Sequence, residues 1–374
     1  MKLQEITIHE TDATTEVSVP FESQSQQHRV HFWMPRSVAP KNINNGDFVI
    51  PLLLLPAMRR GENLDIPITI SHQLSAALPT VQDIFTIWDR AKTRIVVSAA
   101  ATVPSAGMVG RGVACFCSGG VDSYYTLLKH RDEITHLIFV HGFDMPLTAQ
   151  WRRERSSALV RRAAATLGKS LVEIETDIRH FSDPFVGWND YHGAALAVVA
   201  LLLGNAFRKV YIPATFTYAD LIPLGSHPLL DPLWSTESVE IVHDGCEASR
   251  VDKLRLLATE PLLIETLRVC WQNVGQDLNC GVCEKCLRTM IALEITGLRC
   301  PTFTCPLDLQ KVARLKYKDR WLTRYGQLLN AAEQAGKQEL AKAIRDMMQG
   351  KHHRGWRKLV WKLQRFLNRK TNRR

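Results

Sequence analysis

The stretch Val113-Ala-Cys-Phe-Cys-Ser118-Gly119-Gly120-Val121-Asp122-Ser123 constrains the fold of this 374-residue chain more than any other. An apolar run of strand type ends in two adjacent glycines, and Val121 to His130 then reads as a helix. Adjacent glycines let the backbone turn sharply and aim N–H groups into one concavity, to which the helix N-terminus adds partial positive charge. The residues that follow repeat this strand-and-helix grammar. His136 to His141, Ser170 to Ile174, Lys209 to Ala214 and Val239 to His243 read as strands. Ala149 to Leu167, Tyr191 to Ala206 and Arg250 to Ala258 read as helices. Such alternation predicts an α/β fold with a doubly wound parallel sheet, helices on both faces, and active groups at the carboxyl ends of the strands.

Residues 1–105 read differently, as a β-rich accessory domain. Its β-type runs are Glu5 to His9, Glu16 to Phe21, Arg29 to Trp33, Phe48 to Leu55, Ile66 to Ile70 and Arg94 to Val97. One helix, Val81 to Ala91, is expected among them, with Ile84, Phe85, Ile87 and Trp88 on one face. The central unit is expected to span 106–300, and a helical extension 301–374.

Composition excludes several classes. With 45% hydrophobic and 22% charged residues, the chain is neither disordered nor a mini-protein. The net charge of +10 lies in the tail, where Lys351, Arg354, Arg357, Lys358, Lys362, Arg365, Arg369, Lys370, Arg373 and Arg374 occur without an acid. The rest balances, so nucleic-acid or membrane-surface contact could only be argued from that basic amphipathic tail. The start, MKLQEITIHETDATTE, has no apolar leader pattern, and the longest apolar run, Ala194 to Leu203, is about half a bilayer span. A cytoplasmic location is expected.

The loop's chemistry follows from its residues. Ser118 and Ser123 carry hydroxyls that can donate to phosphate oxygens, and Asp122 can cap the helix or help hold Mg2+. No Lys follows the glycines, which excludes a Walker A loop. All six positions from Ser118 to Ser123, with Gly119, Gly120, Val121 and Asp122 between, resemble the SGGxDS loop of the PP-loop ATP pyrophosphatases, the adenine nucleotide alpha hydrolase-like superfamily. The resemblance implies that the loop holds the pyrophosphate end of ATP and that attack on the α-phosphate yields an adenylated substrate.

A second signature lies at Cys270-x9-Cys280-x2-Cys283-x2-Cys286, just before a helical run from Leu287. Four thiolates at this spacing suit a tetrahedral, closed and therefore structural Zn2+ site. An Fe–S cluster or free buried thiols also satisfy the pattern. Loop and knuckle together resemble 7-cyano-7-deazaguanine synthases over about Val113 to Gly297. That likeness implies ATP activation of a carboxylate followed by attack of ammonia.

The segments in which that family reads its base differ here. Val140-His141-Gly142-Phe143-Asp144 lacks the Gln of the family's stretch. Trp188-Asn189-Asp190-Tyr191-His192 stands where the family has an Arg-Asn pair, and Pro213 to Asp220 leads to Leu224-Gly-Ser-His227. The expected function is thus an ATP-dependent, AMP- and pyrophosphate-producing ligase acting on another small carboxylate or amide-type substrate. A tRNA-modifying enzyme with a sulfur-carrying cysteine and a non-catalytic nucleotide sensor are the alternatives. Asp122, Ser123, Arg250 and Lys253 are the candidate catalytic residues; Arg250 or Lys253, at a helix start, would neutralise the leaving pyrophosphate. His141, Asp144, His192, Thr215, Asp220 and His227 lie near strand ends or in the substrate segment. Cys115 and Cys117 share one strand face and read as core; Cys300 and Cys305 read as surface thiols or spare ligands.

Overall fold

The structure is a computed structural model that describes residues 1–104, 112–318 and 321–350. The chain order is β1 (Lys2–Leu3), β2 (Thr7–Glu10), β3 (Thr14–Ser23), β4 (Gln26–Pro35), α1 (Val49–Arg60), β5 (Leu64–Ile66), β6 (Ile70–Ser71), α2 (His72–Trp88), β7 (Val97–Ala99), β8 (Thr102–Val103) and β9 (Gly112–Phe116). Then come α3 (Val121–Lys129), β10 (His136–His141), α4 (Gln150–Thr166), β11 (Ser170–Thr176), α5 (Ile178–Ser182), α6 (Trp188–Leu202), β12 (Phe207–Pro213) and β13 (Glu240–Asp244). Helices α7 (Arg250–Leu257), α8 (Pro261–Glu265), α9 (Glu284–Thr296), α10 (Leu309–Ala313), α11 (Leu322–Gln334) and α12 (Gln338–Gln349) complete it.

Eleven strands form one sheet, ordered β13-β12-β9-β10-β11-β4-β3-β1-β5-β7, with β2 on β3. The block from β13 to β11 is parallel throughout. Numbered within that block its order is 5-4-1-2-3, so the direction of winding reverses between β9 and β12. Loops diverge from such a switch point and leave a crevice at the carboxyl ends of the strands. The glycine loop follows β9 and opens there.

Most strands of residues 1–104 join this same sheet, and β6 pairs with β8 in a small parallel sheet apart from it. Strand β4 pairs antiparallel with β11, and its long hairpin with β3 carries the sheet onward. Core residues of both regions join beneath it, Val17, Val30 and Phe32 with Ile138, Ile174 and Val198. The expected strand at Phe48 to Leu55 is the helix α1. Every residue from Val49 to Met58 is buried, so the run has no polar face to reveal a 3.6-residue period. Gly61, at φ 67°, ends the helix in the left-handed region open to glycine. Helix α2 starts earlier than expected, capped by Ser71, and its Ile87 points to solvent while Phe85 is buried. No described helix is long and apolar enough to cross a membrane. The extension is helical through α10 to α12, and the basic tail lies outside the described residues.

Candidate functional site

Strand β9 buries Val113 to Phe116, and Cys117 leads into the loop. Gly119 adopts φ 75°, which a side chain would strain, and Gly120 is the extended N-cap of α3. The Ser123 hydroxyl donates to Gly120 O at 2.9 Å, and the Arg268 N–H donates to Gly119 O at 2.8 Å. The loop is therefore held from its own helix and from the segment entering the cysteine knuckle.

It opens into a cavity of about 210 Å³. Ser118, Gly120, Asp122 and Ser123 reach its wall, whereas Gly119 and Val121 lie behind. Asp122 sits in the first turn of α3. Lys253 Nζ reaches its Oδ1 and Arg250 Nη2 its Oδ2, both at 3.0 Å. Burial alone would raise the Asp122 carboxyl, but the two cations hold it far below the usual carboxylate range. Lys253 also donates to Ala214 O at 2.6 Å. Arg250 and Lys253 thus brace Asp122, and neither lines the cavity.

Two cations that sequence reasoning missed do line it, Arg268 and Lys285. Neither is in a salt bridge with a described residue, although Asp144 lies near enough to act on both electrostatically. Among the described residues no hydrogen bond reaches the Lys285 ammonium, and Arg268 bonds Asn273 Oδ1 at 3.0 Å with its Nε unpartnered there. Burial lowers the pKa of both. One signal was present in the sequence: Lys285 lies between Cys283 and Cys286, and Arg268 two residues before Cys270.

The opposite wall carries three histidines from three segments. His192 Nδ1 lies 3.1 Å from both Trp188 O and Asn189 O. Carbonyls only accept, so this nitrogen carries the proton and Nε2 is an acceptor. Burial lowers the His192 pKa and keeps it neutral. His227 Nδ1 accepts the Leu229 N–H at 3.1 Å, the opposite tautomer. His243 Nδ1 contacts Asp231 Oδ2 at 2.7 Å; burial opposes the charged ring, but the carboxylate raises its pKa to about 9. The stability this pair contributes is complete below the ordinary histidine range and is lost as pH rises through about 9. His243→Gln is expected to cost up to about 3 kcal/mol at pH 7 and much less at pH 10. Urea unfolding at both pH values checks this; equal costs would contradict it.

Close backbone contact holds this wall. A Cβ on Gly193 would lie 2.0 Å from Gly225 O, and one on Gly225 2.2 Å from Asp190 O. Gly225 N–H also donates to Asn189 O at 2.8 Å. Gly193→Ala is expected to push the Ser226–His227 segment off α6, at about 1–3 kcal/mol of stability. Chemical denaturation is the readout, and a variant as stable as the wild type would refute the packing argument.

Of the other residues weighed from sequence, Asp144, His192, Thr215 and His227 line the cavity. His141 does not: it faces Glu173 at 3.1 Å over a separate groove. Asp220 instead accepts from Arg324 Nε at 3.0 Å and caps Thr217.

The four knuckle sulfurs all lie within 4.8 Å of one another. Cys270 and Cys283 are 4.0 Å apart, Cys280 and Cys286 3.9 Å. A tetrahedron of Zn–S bonds has S···S edges of about 3.8 Å, so the cluster fits a metal such as zinc. The N–H groups of Cys283 and Cys286 point at the sulfurs of Cys280 and Cys283, at 3.3 and 3.4 Å, as donors to thiolates would. Asn279 braces the loop, taking the Val269 and Cys270 N–H groups on Oδ1. Cys300 is buried with its thiol on Thr302, and Cys305 packs on Gly281; neither belongs to the four-sulfur group.

Fold and site together define an α/β chain whose mostly parallel sheet opens a largely apolar cavity with two cations on its wall at the switch point, beside a four-cysteine cluster that could hold a metal. Comparison with family models, curated proteins and solved structures gave no match to this chain.

Proposed function

We propose that the chain is a cytoplasmic ATP-dependent adenylating enzyme of the PP-loop class on an adenine nucleotide alpha hydrolase-like sheet. It joins nitrogen to a small carboxylate or amide-type substrate and releases AMP and pyrophosphate. One observation carries this reading: the glycine loop at the switch point faces a cavity with two cations, Arg268 and Lys285, that no described carboxylate pairs in a salt bridge. Backbone N–H groups and cations around one concavity suit a polyphosphate and, above all, a departing pyrophosphate.

A substrate oxygen attacks the α-phosphorus, the bond to the bridging oxygen breaks, and pyrophosphate leaves with that electron pair. Ammonia then attacks the activated carbon, AMP leaves, and the nitrogen loses a proton. His192 Nε2, an acceptor on the cavity wall, is the group that takes it. Magnesium would neutralise charge on the phosphates; since both Asp122 oxygens face cations, Asp144 is the lining carboxylate left to it. Cys270, Cys280, Cys283 and Cys286 would together fill the ligand positions of a zinc ion and give it a structural role. Burial pushes the thiol of Cys117, the cysteine beside the loop, up to about 11, which argues against a sulfur carrier there.

The test is the fate of α- and γ-labelled ATP with protein, Mg2+, ammonium and fractionated small-molecule extract. AMP plus pyrophosphate is expected, suppressed in Lys285→Met. ADP plus phosphate would overturn the assignment, and ATP binding without turnover would favour a sensor.

A further inference from the structure

The two unpaired cations of the cavity share one property: each is attached to the cysteine knuckle. Arg268 lies two residues before Cys270, and its N–H donates to Gly119 O of the phosphate loop. Lys285 lies between Cys283 and Cys286, in the first turn of α9, whose N-cap is Cys283. A displacement of the sulfurs therefore moves the charges of the cavity wall and one hydrogen-bond donor of the loop.

No regular element fixes this segment. From Trp271 to Val282 the chain forms neither helix nor strand, and Trp271, Val274 and Val282 are exposed, while Leu278 and Asn279 are buried. Apart from the burial of Leu278, its described ties are polar. Asn279 takes the Val269 and Cys270 N–H groups and donates to Leu267 O and Thr302. Asn273 joins Asp144 O and Arg268, Arg152 and Arg155 donate to Gly275 O and Gln276 O, and Thr304 donates to Asp277. A metal that gathers four thiolates would add a covalent-strength constraint to these ties, and without it four sulfurs would crowd within 4.8 Å.

We propose that the metal cluster is a positioning device for the anion site: it holds Arg268 and Lys285 in their polyphosphate-binding geometry, so that metal and pyrophosphate each tighten the binding of the other. The proposal rests on the reading of the loop as a phosphate site. Reciprocity is a thermodynamic necessity once the metal changes pyrophosphate affinity, and typical couplings are about 5- to 150-fold.

The experiment uses the full, zinc-loaded chain and inorganic pyrophosphate. Zinc loss to a chromogenic chelator is followed with and without saturating pyrophosphate, while calorimetry reports pyrophosphate binding separately. Zinc loss about ten-fold slower with pyrophosphate is expected. Lys285→Met should keep its zinc and thermal stability yet lose that protection. Substituting Co2+ adds a local readout, since pyrophosphate should shift the cobalt absorption bands, which general stabilisation of the fold would not. Pyrophosphate binding with unchanged zinc loss and unchanged cobalt bands would overturn the coupling and leave the phosphate site standing. No pyrophosphate binding to the zinc-loaded chain would overturn both.

Discussion

Replacing Asp122 by Asn is expected to lower stability by about 3–5 kcal/mol, because it strips the counter-charge from two buried cations at once. Arg250 and Lys253 both stand in the first turn of α7, where the helix dipole is unfavourable to positive charge. Ser249 and Asp252 form a capping box there, but the Asp252 carboxylate faces outward to Arg255 and the N-cap. Among the described residues Asp122 is the carboxylate in salt bridges with the two cations, across the gap between α3 and α7. An amide of the same shape keeps one uncharged acceptor for one cation and turns an N–H donor toward the other, beyond which Lys253 has Ala214 O and Arg250 a 3.5 Å contact to Thr289. Since the folded pKa lies far below the unfolded one, the stabilisation is complete above the ordinary carboxylate range and lost only as pH falls well beneath it. The Asn variant should therefore show the same deficit from neutral pH down to about 5. Chemical denaturation checks it, and a deficit below about 1 kcal/mol would contradict the triad's role. Adding Lys253→Met should recover part of the loss by removing one orphaned charge. That double variant also separates stability from chemistry: if it folds and turns over ATP, Asp122 acts by position alone.

Much of this site was legible before the structure, for reasons that can be named. The glycine loop declares itself because its conformation needs glycine at one point, and only a strand before and a helix after give it meaning. Alternating strand and helix patterns from β9 to β13 survive because each element buries one defined face. The helix α1 was misread because burial on all sides erases periodicity, and the joining of β4 to β11 was invisible because strand pairing across 140 residues leaves no local trace. Arg250 and Lys253 were found as charges near the loop but given the wrong neighbour. A sequence shows that two cations and an acid exist, whereas pairing depends on how α3 and α7 meet. Lys285 was overlooked for the opposite reason, since the cysteines on either side of it commanded the reading of that segment. The protonation states of His192, His227 and His243 follow from contacts to Trp188 O, Leu229 N and Asp231, none of which spacing reveals.

Metal removal should have the larger effect and a distinct geography. Zinc bound by cysteine clusters is worth about 10–16 kcal/mol in small fingers, and the part used here is what holds the 270–286 segment folded. That segment leads into α9, where Glu284 accepts from Tyr325 and pairs with Arg288 at 3.0 Å. Helix α9 in turn packs on α7 and α11. Loss of the metal is therefore expected to loosen the layer formed by α7, α9 and α11, while β3, β4 and α1, whose core lies on the other side of the sheet, stay protected. Cys283→Ser is the sharpest genetic form of the experiment, since Cys283 is both a ligand and the N-cap of α9. Elemental analysis should find one zinc per chain in the wild type and little in the variant. The melting temperature should fall by about 10 °C or more, a loss on the order of 8 kcal/mol for a chain of this size. Hydrogen exchange should rise in 268–296 and the facing helices but not in the β3–β4 hairpin. Uniform loosening of the whole chain would instead make the metal a global staple, and visible absorption from bound iron would make the cluster an Fe–S centre. A wild-type chain that folds to the same stability after complete chelation would remove the metal from the architecture altogether, and leave Lys285 and Arg268 to be positioned by packing alone.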